Sequence, residues 1–205
     1  MDKINYKAII FDMGEVLVRT VDRTPRTELA KRFNMTFYEL ESMVYFSNSA
    51  LLAMVGEITE EDHFKSVLKG LNNQKLSISE FKNLFWGGDD LNKELVSFIS
   101  TLKNKYKLGL LSNAMDTTRQ RLSDKYNLIE YFDVSLFSYE VKIAKPNPEI
   151  YKIILQQLSV KPCETIFIDD IMENIIAADN LGITTIQFKN TQQTIEIIQK
   201  LLELK

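Results

Sequence analysis

The sequence predicts an α/β fold, a doubly wound parallel sheet of about five strands with an inserted helical cap. Three observations predict it. Five short apolar runs are each bounded by polar or turn residues, helical patterns separate the later runs, and one long N-terminal stretch carries helix-start signals but no strand-like run. Runs that are apolar on both faces suit covered parallel strands, and strand–helix alternation is the pattern of a doubly wound sheet.

The strand-like runs are Ala8–Phe11, 108–112, 134–138, Thr165–Asp169 and 184–188. Helical patterns fill the gaps after the second run. Residues 117–126 follow that run, and Pro148–Leu158 opens with proline in its first turn, where the missing N–H costs nothing. Residues 174–181 run into Gly182, a residue suited to the turn just past a helix end. Thr191 is placed to N-cap a last helix in which Ile195, Ile198, Leu201 and Leu202 recur at helical spacing.

Residues 18–90 break the alternation. Thr24 precedes Pro25 as an N-cap precedes a first-turn proline, and Thr36 with Glu39 reads as a capping box. Thr59-Glu60-Glu61-Asp62 and Ser77-Ile78-Ser79-Glu80 repeat the order of hydroxyl then acid, and Gly70 and Gly87-Gly88 punctuate the ends. This segment is expected to be a helical bundle inserted after the first strand. Such an insert lies at the sheet edge where α/β folds bind ligands, so it reads as a lid. The expected division is therefore 1–17 with 91–205 as the core and 18–90 as the cap.

Composition narrows the function classes. A chain of 205 residues is long enough for one domain and a fraction of another, and for a substantial core. With 25 basic and 28 acidic residues the formal charge is −3, which lacks the basic footprint of a nucleic-acid binder. The single cysteine, Cys163, makes no internal disulfide, and there is no Cys/His cluster of the kind that holds zinc. No apolar run reaches membrane-spanning length, and residues 1–5 lack the apolar stretch of an export signal. A cytoplasmic protein with neither membrane nor nucleic-acid partners is expected.

Polar residues gather where the strands end. Asp12, Met13, Gly14 and Glu15 follow the first strand, Ser112 and Asn113 close the second, Asp169 and Asp170 close the fourth, and Lys145 precedes a helix. In a parallel sheet these ends open on one edge, so three carboxylates, a hydroxyl and one ammonium converge. Carboxylates so placed repel one another unless a cation joins them, and Mg²⁺, which prefers oxygen ligands, meets that need. The lysine and free N–H groups left around it suit a phosphate.

The order of these motifs resembles the haloacid dehalogenase superfamily, specifically the subgroup of sugar-phosphate phosphatases and the N-terminal phosphatase domain of soluble epoxide hydrolase. The resemblance spans about residues 6–190 and rests most on Ser138-Tyr139-Glu140-Val141 through Lys145-Pro146-Asn147-Pro148-Glu149-Ile150-Tyr151, on Asp169-Asp170-Ile171-Met172-Glu173-Asn174, and on Gly56-Glu57-Ile58-Thr59-Glu60-Glu61. It implies a Rossmann-like core and a Mg²⁺-dependent phosphomonoesterase acting on a small phosphorylated metabolite, a sugar phosphate among the options. By the same resemblance Asp12 is the nucleophile that forms an aspartyl-phosphate. Asp12, the Gly14 carbonyl and the Asp169/Asp170 pair are metal ligands, with the direct ligand of that pair left open. Ser112 Oγ and the Asn113 amide hold phosphate oxygens, Lys145 neutralises developing charge, and Asn174 orients the acidic loop or the lysine.

One position departs from the family. Most of these phosphatases carry a second Asp as general acid two residues after the nucleophile, and here that position is Gly14. Loss of a general acid biases the substrate towards good leaving groups such as an anomeric sugar phosphate or an acyl phosphate. It also keeps open a catalytically weak or inactive relative that only binds phosphate or a partner. Glu15 is one residue out of register, and in an extended segment its side chain points away from the site. A 2-haloacid dehalogenase is the other alternative, and the retained Asp169-Asp170 pair argues against it. Arg19 is near enough in sequence to be a specificity candidate. His63 is expected to be solvated in a charged helix, Phe81, Phe85 and Trp86 to form cap core, and Cys163 to be a bystander.

Overall fold

Apolar runs of four to six residues are buried on both faces only between two helical layers, and the sheet lies between such layers. The computed structural model describes residues 5–72 and 75–204. Of residues 1–5, expected to carry no export signal, 1–4 lie outside that range. In chain order the elements are β1 (Ala8–Phe11), β2 (Val18–Thr20), α1 (Thr24–Lys31), α2 (Phe37–Tyr45), α3 (Asn48–Met54), α4 (Glu60–Gly70), α5 (Ile78–Phe85), β3 (Asp89–Leu91) and α6 (Lys93–Leu102). There follow β4 (Lys107–Ser112), α7 (Thr118–Tyr126), β5 (Val134–Phe137), α8 (Ser138–Val141), α9 (Pro148–Leu158), β6 (Thr165–Asp169), α10 (Met172–Asp179), β7 (Thr184–Gln187) and α11 (Thr191–Leu202).

The five-stranded sheet has the order β5-β4-β1-β6-β7 and is parallel throughout. Side chains alternate across it. Ile9, Phe11, Leu110 and Ile168 face Leu95 and Ile99 of α6 and Ile198 of α11, while Ala8, Ile10, Leu111 and Phe167 face Ile150 and Ile154 of α9 and Ala178 of α10. The order also puts β1 at the centre, flanked by β4 and β6, so the three predicted site strands are neighbours.

Between β2 and β3 the helices α1, α2, α4 and α5 close around an apolar core of their own, with Leu29, Leu40, Phe64, Phe81 and Phe85 buried and Trp86 packed against them. The N-cap readings hold for α2, where Thr36 and Glu39 form a capping box, for α4 with Thr59, and for α5, where Ser77 and Glu80 form a second box. A smaller cluster joins this bundle to the sheet domain: Ala50 and Ala53 of α3 pack on Met115 just beyond β4.

Several expectations need correction. Residues 18–90 do contain strand: β2 and β3 pair antiparallel at the two ends of the insert. Three half-buried residues per strand carry too little periodicity to read, and the partner lies about seventy positions away. The ribbon continues at Gly88, whose carbonyl accepts from Val21 N and Asp22 N at 3.0 and 3.1 Å. A Cβ on Gly88 would fall 1.7 Å from the Asp22 carbonyl oxygen, so only glycine fits this approach. Thr24 is the first helical residue of α1 rather than its N-cap, and its N–H is taken by the Asp22 carboxylate at 2.8 Å. Asn190, not Thr191, caps α11 through Gln193 N.

His63 is fully buried rather than solvated. It shares the inner face of α4 with Phe64, Val67 and Leu68, and its Nδ1 lies 2.9 Å from Ser49 Oγ. Its charged neighbours Glu61, Asp62 and Lys65 fall on the exposed side of the helix, while Glu60 is buried beside it, a division that local composition does not reveal. Cys163 is exposed. Among the described residues, no helix is long and apolar enough to cross a membrane.

Candidate active site

The site forms where β1, β4 and β6 end. Asp12 extends β1 by one residue, its N–H bonded to the Ile168 carbonyl at 2.8 Å. The parallel register pairs Phe11 with Leu110 and with Ile168, so Asp12 stands level with Leu111 and Asp169, and Ser112 one step further out. Consecutive strands of a doubly wound sheet leave their last residues on one edge, and here that edge gathers groups more than 150 residues apart.

Lys145 is the hub. It arrives from the loop between α8 and α9, is buried, and gives all three ammonium protons to the protein. Its Nζ donates to Asp12 Oδ1 at 2.5 Å, to Asp169 Oδ2 at 2.6 Å and to the Leu111 carbonyl at 3.0 Å. Asn113 holds the lysine backbone from both sides. Its Nδ2 donates to the Lys145 carbonyl at 2.9 Å and its Oδ1 accepts from Lys145 N at 2.8 Å. The side-chain amide of Asn113 is thereby committed to the backbone of Lys145. This brace has no local sequence signal, because its two partners are 32 residues apart.

Asp169 is fully buried and saturated with donors. Asn174 Nδ2 bonds both of its oxygens at 3.1 Å, and Ile171 N adds a bond of 2.9 Å to Oδ1. Asn174 therefore holds the acidic loop, not the lysine, and Tyr151 OH in turn donates to the Asn174 carbonyl at 3.0 Å. Asp170 is only partly buried, with its carbonyl bound by Gln187 Nε2 at 3.2 Å. Ser112 is buried, and its hydroxyl makes a long contact of 3.4 Å to the Asn113 carbonyl.

Electrostatics single out the cluster. Burial, reinforced by the Asp169 and Asp170 charges, pushes the Asp12 carboxyl up to about 7 in spite of Lys145. Burial and the Asp169 charge lift Asp170 to about 6. Burial works against the Lys145 ammonium as well, but Asp12 and Asp169 outweigh it and hold it above the ordinary lysine range. Asp12, Asp169 and Asp170 each offer an oxygen within 4.8 Å of the others, and Lys145 pairs with the first two. With all three ionised, two negative charges exceed the ammonium, matching one divalent cation, and the all-oxygen donor set suits Mg²⁺.

Gly14 lies beside this cluster. A Cβ built there meets nothing nearer than Asp12 Oδ2 at 4.0 Å, so the position opens onto free space next to the carboxylate. Glu15 does not lie in an extended segment, contrary to expectation. Its φ is +53°, a conformation that favours Gly or Asn, and its carboxylate accepts from Thr20 N and Oγ1 at 3.3 and 3.4 Å. The left-handed turn that lets Glu15 N reach the Val18 carbonyl is what swings this side chain towards β2. Arg19, the specificity candidate, lies over the Phe188 ring at 5.7 Å from its centroid. The motif around Glu140 is structural: Arg119 holds both its oxygens, at 2.6 and 2.9 Å, tying α7 to α8.

Comparison with known proteins agrees with this geometry. The family model of haloacid dehalogenase-like hydrolases matches residues 6–182. The chain belongs to that family. It is 26% identical over 191 residues to a D-ribitol-5-phosphate phosphatase of Bacteroides thetaiotaomicron, covering 90% of this chain and 92% of the relative. It is 31% identical over 185 residues to a phosphorylated carbohydrates phosphatase of Thermotoga maritima, covering 88% and 83%. A family enzyme from B. thetaiotaomicron, solved with magnesium and inorganic phosphate, superposes with a TM-score of 0.76 at 28% identity, over 90% of this chain and 95% of that one. This hydrolase of the haloacid dehalogenase superfamily thus has named phosphatases among its relatives and a magnesium complex among its structural neighbours.

Proposed function

We propose that this hydrolase is a Mg²⁺-dependent phosphomonoesterase acting on a small phosphorylated metabolite, with sugar and polyol phosphates as its substrate class, through an aspartyl-phosphate on Asp12. The observation that carries the reading is the buried Asp12–Lys145–Asp169 array with Asp170 at its side. Lys145 holds Asp12 Oδ1, which leaves Oδ2 as the oxygen unengaged by the ammonium. A carboxylate pinned in one orientation is set up for in-line attack on phosphorus, with no orientational entropy left to lose at that centre. Ser112 Oγ and the backbone N–H of Asn113 are the proposed phosphate donors, and Lys145 stabilises charge growing on the phosphoryl oxygens.

Asp12, Asp170 and the Gly14 carbonyl would hold Mg²⁺. The bound ion supplies the positive charge that lets a phosphate dianion approach a carboxylate. Within the acidic pair, Asp169 already serves Lys145, Asn174 and Ile171 N, whereas Asp170 is less committed and less buried, so Asp170 is assigned as the direct ligand. Asp170→Asn is expected to weaken Mg²⁺ binding at least about tenfold, measured by titration calorimetry. Equal binding by the variant would move the assignment to Asp169.

The space at Gly14 supports a substrate that needs little help in departure. A panel of phosphorylated metabolites assayed with Mg²⁺ tests both levels of the reading. Hydrolysis of anomeric sugar phosphates above 6-phosphates, abolished by EDTA, is expected. Metal-independent turnover of similar size would overturn the mechanism. The same empty position favours a second reading, a relative that binds phosphate or a partner without turnover, and inactivity across the panel together with retained phosphate binding would establish that one instead.

A further inference from the structure

Thr117 stands at the N-cap of α7, yet its hydroxyl does not cap that helix. It goes to the other domain, donating to Glu60 Oε2 at 2.5 Å. A threonine that gives up the best local use of its side chain has a tertiary reason. Glu60, the first residue of α4, is 1% exposed and is met from both domains. Lys82 of α5 bonds it from within the cap, and Arg121 of α7 bonds Oε1 from the core at 3.1 Å. The backbone N–H of Glu60 donates to Asp116 Oδ1 at 3.0 Å, and Arg121 also lies over the Trp86 ring at 3.9 Å.

The core side of this cluster is the segment that leaves the end of β4. Asp116 and Thr117 follow Ser112, Asn113, Ala114 and Met115 without interruption, and Met115 packs on Ala50 and Ala53 of α3. We propose that Glu60 is a positioning residue that couples the cap to the phosphate-binding loop, so that the cap's seating sets the placement of Ser112 and the Asn113 N–H. The proposal rests on the reading above that this loop holds phosphate. A buried carboxylate shared by two cations and a hydroxyl has one well-defined arrangement, which makes it a rigid joint rather than a surface contact. The cap then acts on the chemistry through the loop it grips, in addition to covering the site.

The test uses the full chain and three variants, Glu60→Gln, Thr117→Val and Thr117→Ser. Inorganic phosphate binding is titrated with Mg²⁺ present, Mg²⁺ binding is titrated separately, and amide exchange is followed across residues 112–116. Thr117→Val is expected to weaken phosphate binding about tenfold with Mg²⁺ affinity unchanged, because loop donors and metal ligands lie on different strands. Thr117→Ser, which keeps the hydroxyl, restores wild-type affinity. Glu60→Gln exceeds the Thr117→Val effect, and if it fails to fold the Thr117 pair carries the comparison. Unchanged phosphate affinity in Thr117→Val, with only a lowered Tm, would reduce Glu60 to a structural tie and overturn the proposal. If the wild type binds no phosphate, the reading of the loop has failed, and exchange decides the coupling by itself. Faster exchange of 112–116 in Thr117→Val but not in Thr117→Ser supports it, and equal exchange in all three proteins overturns it.

Discussion

Replacing Asp12 by asparagine is expected to lower phosphate-ester hydrolysis by about 10⁴-fold or more, the scale seen when a covalent nucleophile is removed. The amide has the same shape but carries no charge and attacks phosphorus poorly. Lys145 keeps Asp169 and the Leu111 carbonyl as acceptors in the variant, and the asparagine Oδ1 still accepts, so the loop that carries it stays in place. The loss is therefore expected in kcat and not in folding. The metal-free variant should be at least as stable as the wild type at neutral pH and above. A carboxyl raised to about 7 binds its proton more tightly folded than unfolded, so stability falls as pH rises from the ordinary Asp value of 3.8 to about 7 and stays lowered above it, and asparagine removes this cost. Single-turnover hydrolysis of 4-nitrophenyl phosphate and a melting curve in EDTA measure the two effects. Substantial activity in the variant would remove Asp12 from the role of nucleophile.

The second large effect is a gain. Gly14→Asp should raise kcat/KM for primary alkyl phosphates by about 10²-fold, the lower range for an added general acid. The site has room for it, since a Cβ at position 14 meets only Asp12 Oδ2, at 4.0 Å, and the backbone there is not left-handed. An aryl phosphate, whose leaving group needs little protonation, should gain far less. The ratio of the two rates is thus the diagnostic quantity, and it cancels any change in the amount of active protein. A ratio equal to that of the wild type would mean that protonation of the leaving group is already supplied elsewhere. Glu15 is poorly placed to supply it, because its carboxylate is turned to Thr20.

Much of the site was legible because each of its residues sits in a local pattern. Asp12, Ser112 and Asp169 end apolar runs that only a covered sheet accommodates, and Lys145 precedes a proline-led helix. What the sequence hid were contacts with no local signal. The two-residue brace of Asn113 on Lys145, the meeting of Glu60 with Thr117 and Arg121, and the pairing of β2 with β3 each join segments 32 to 73 residues apart. The burial of His63 has a related cause: its neighbours Glu61, Asp62 and Lys65 share its stretch of chain but not its face of the helix.

By itself the sequence determined the α/β class, the parallel core strands and the set of chemically active residue types at their ends. It could do so because burial on both faces, helix capping and strand termination are local properties of the chain. Tertiary structure alone decided how those groups divide their work. Lys145 spends its three protons on Asp12, Asp169 and Leu111, Asn174 serves the acidic loop, and Asp170 is left the less engaged of its pair. A hydrogen bond has one geometry and each donor a fixed capacity, so such assignments exist only once the strands are side by side.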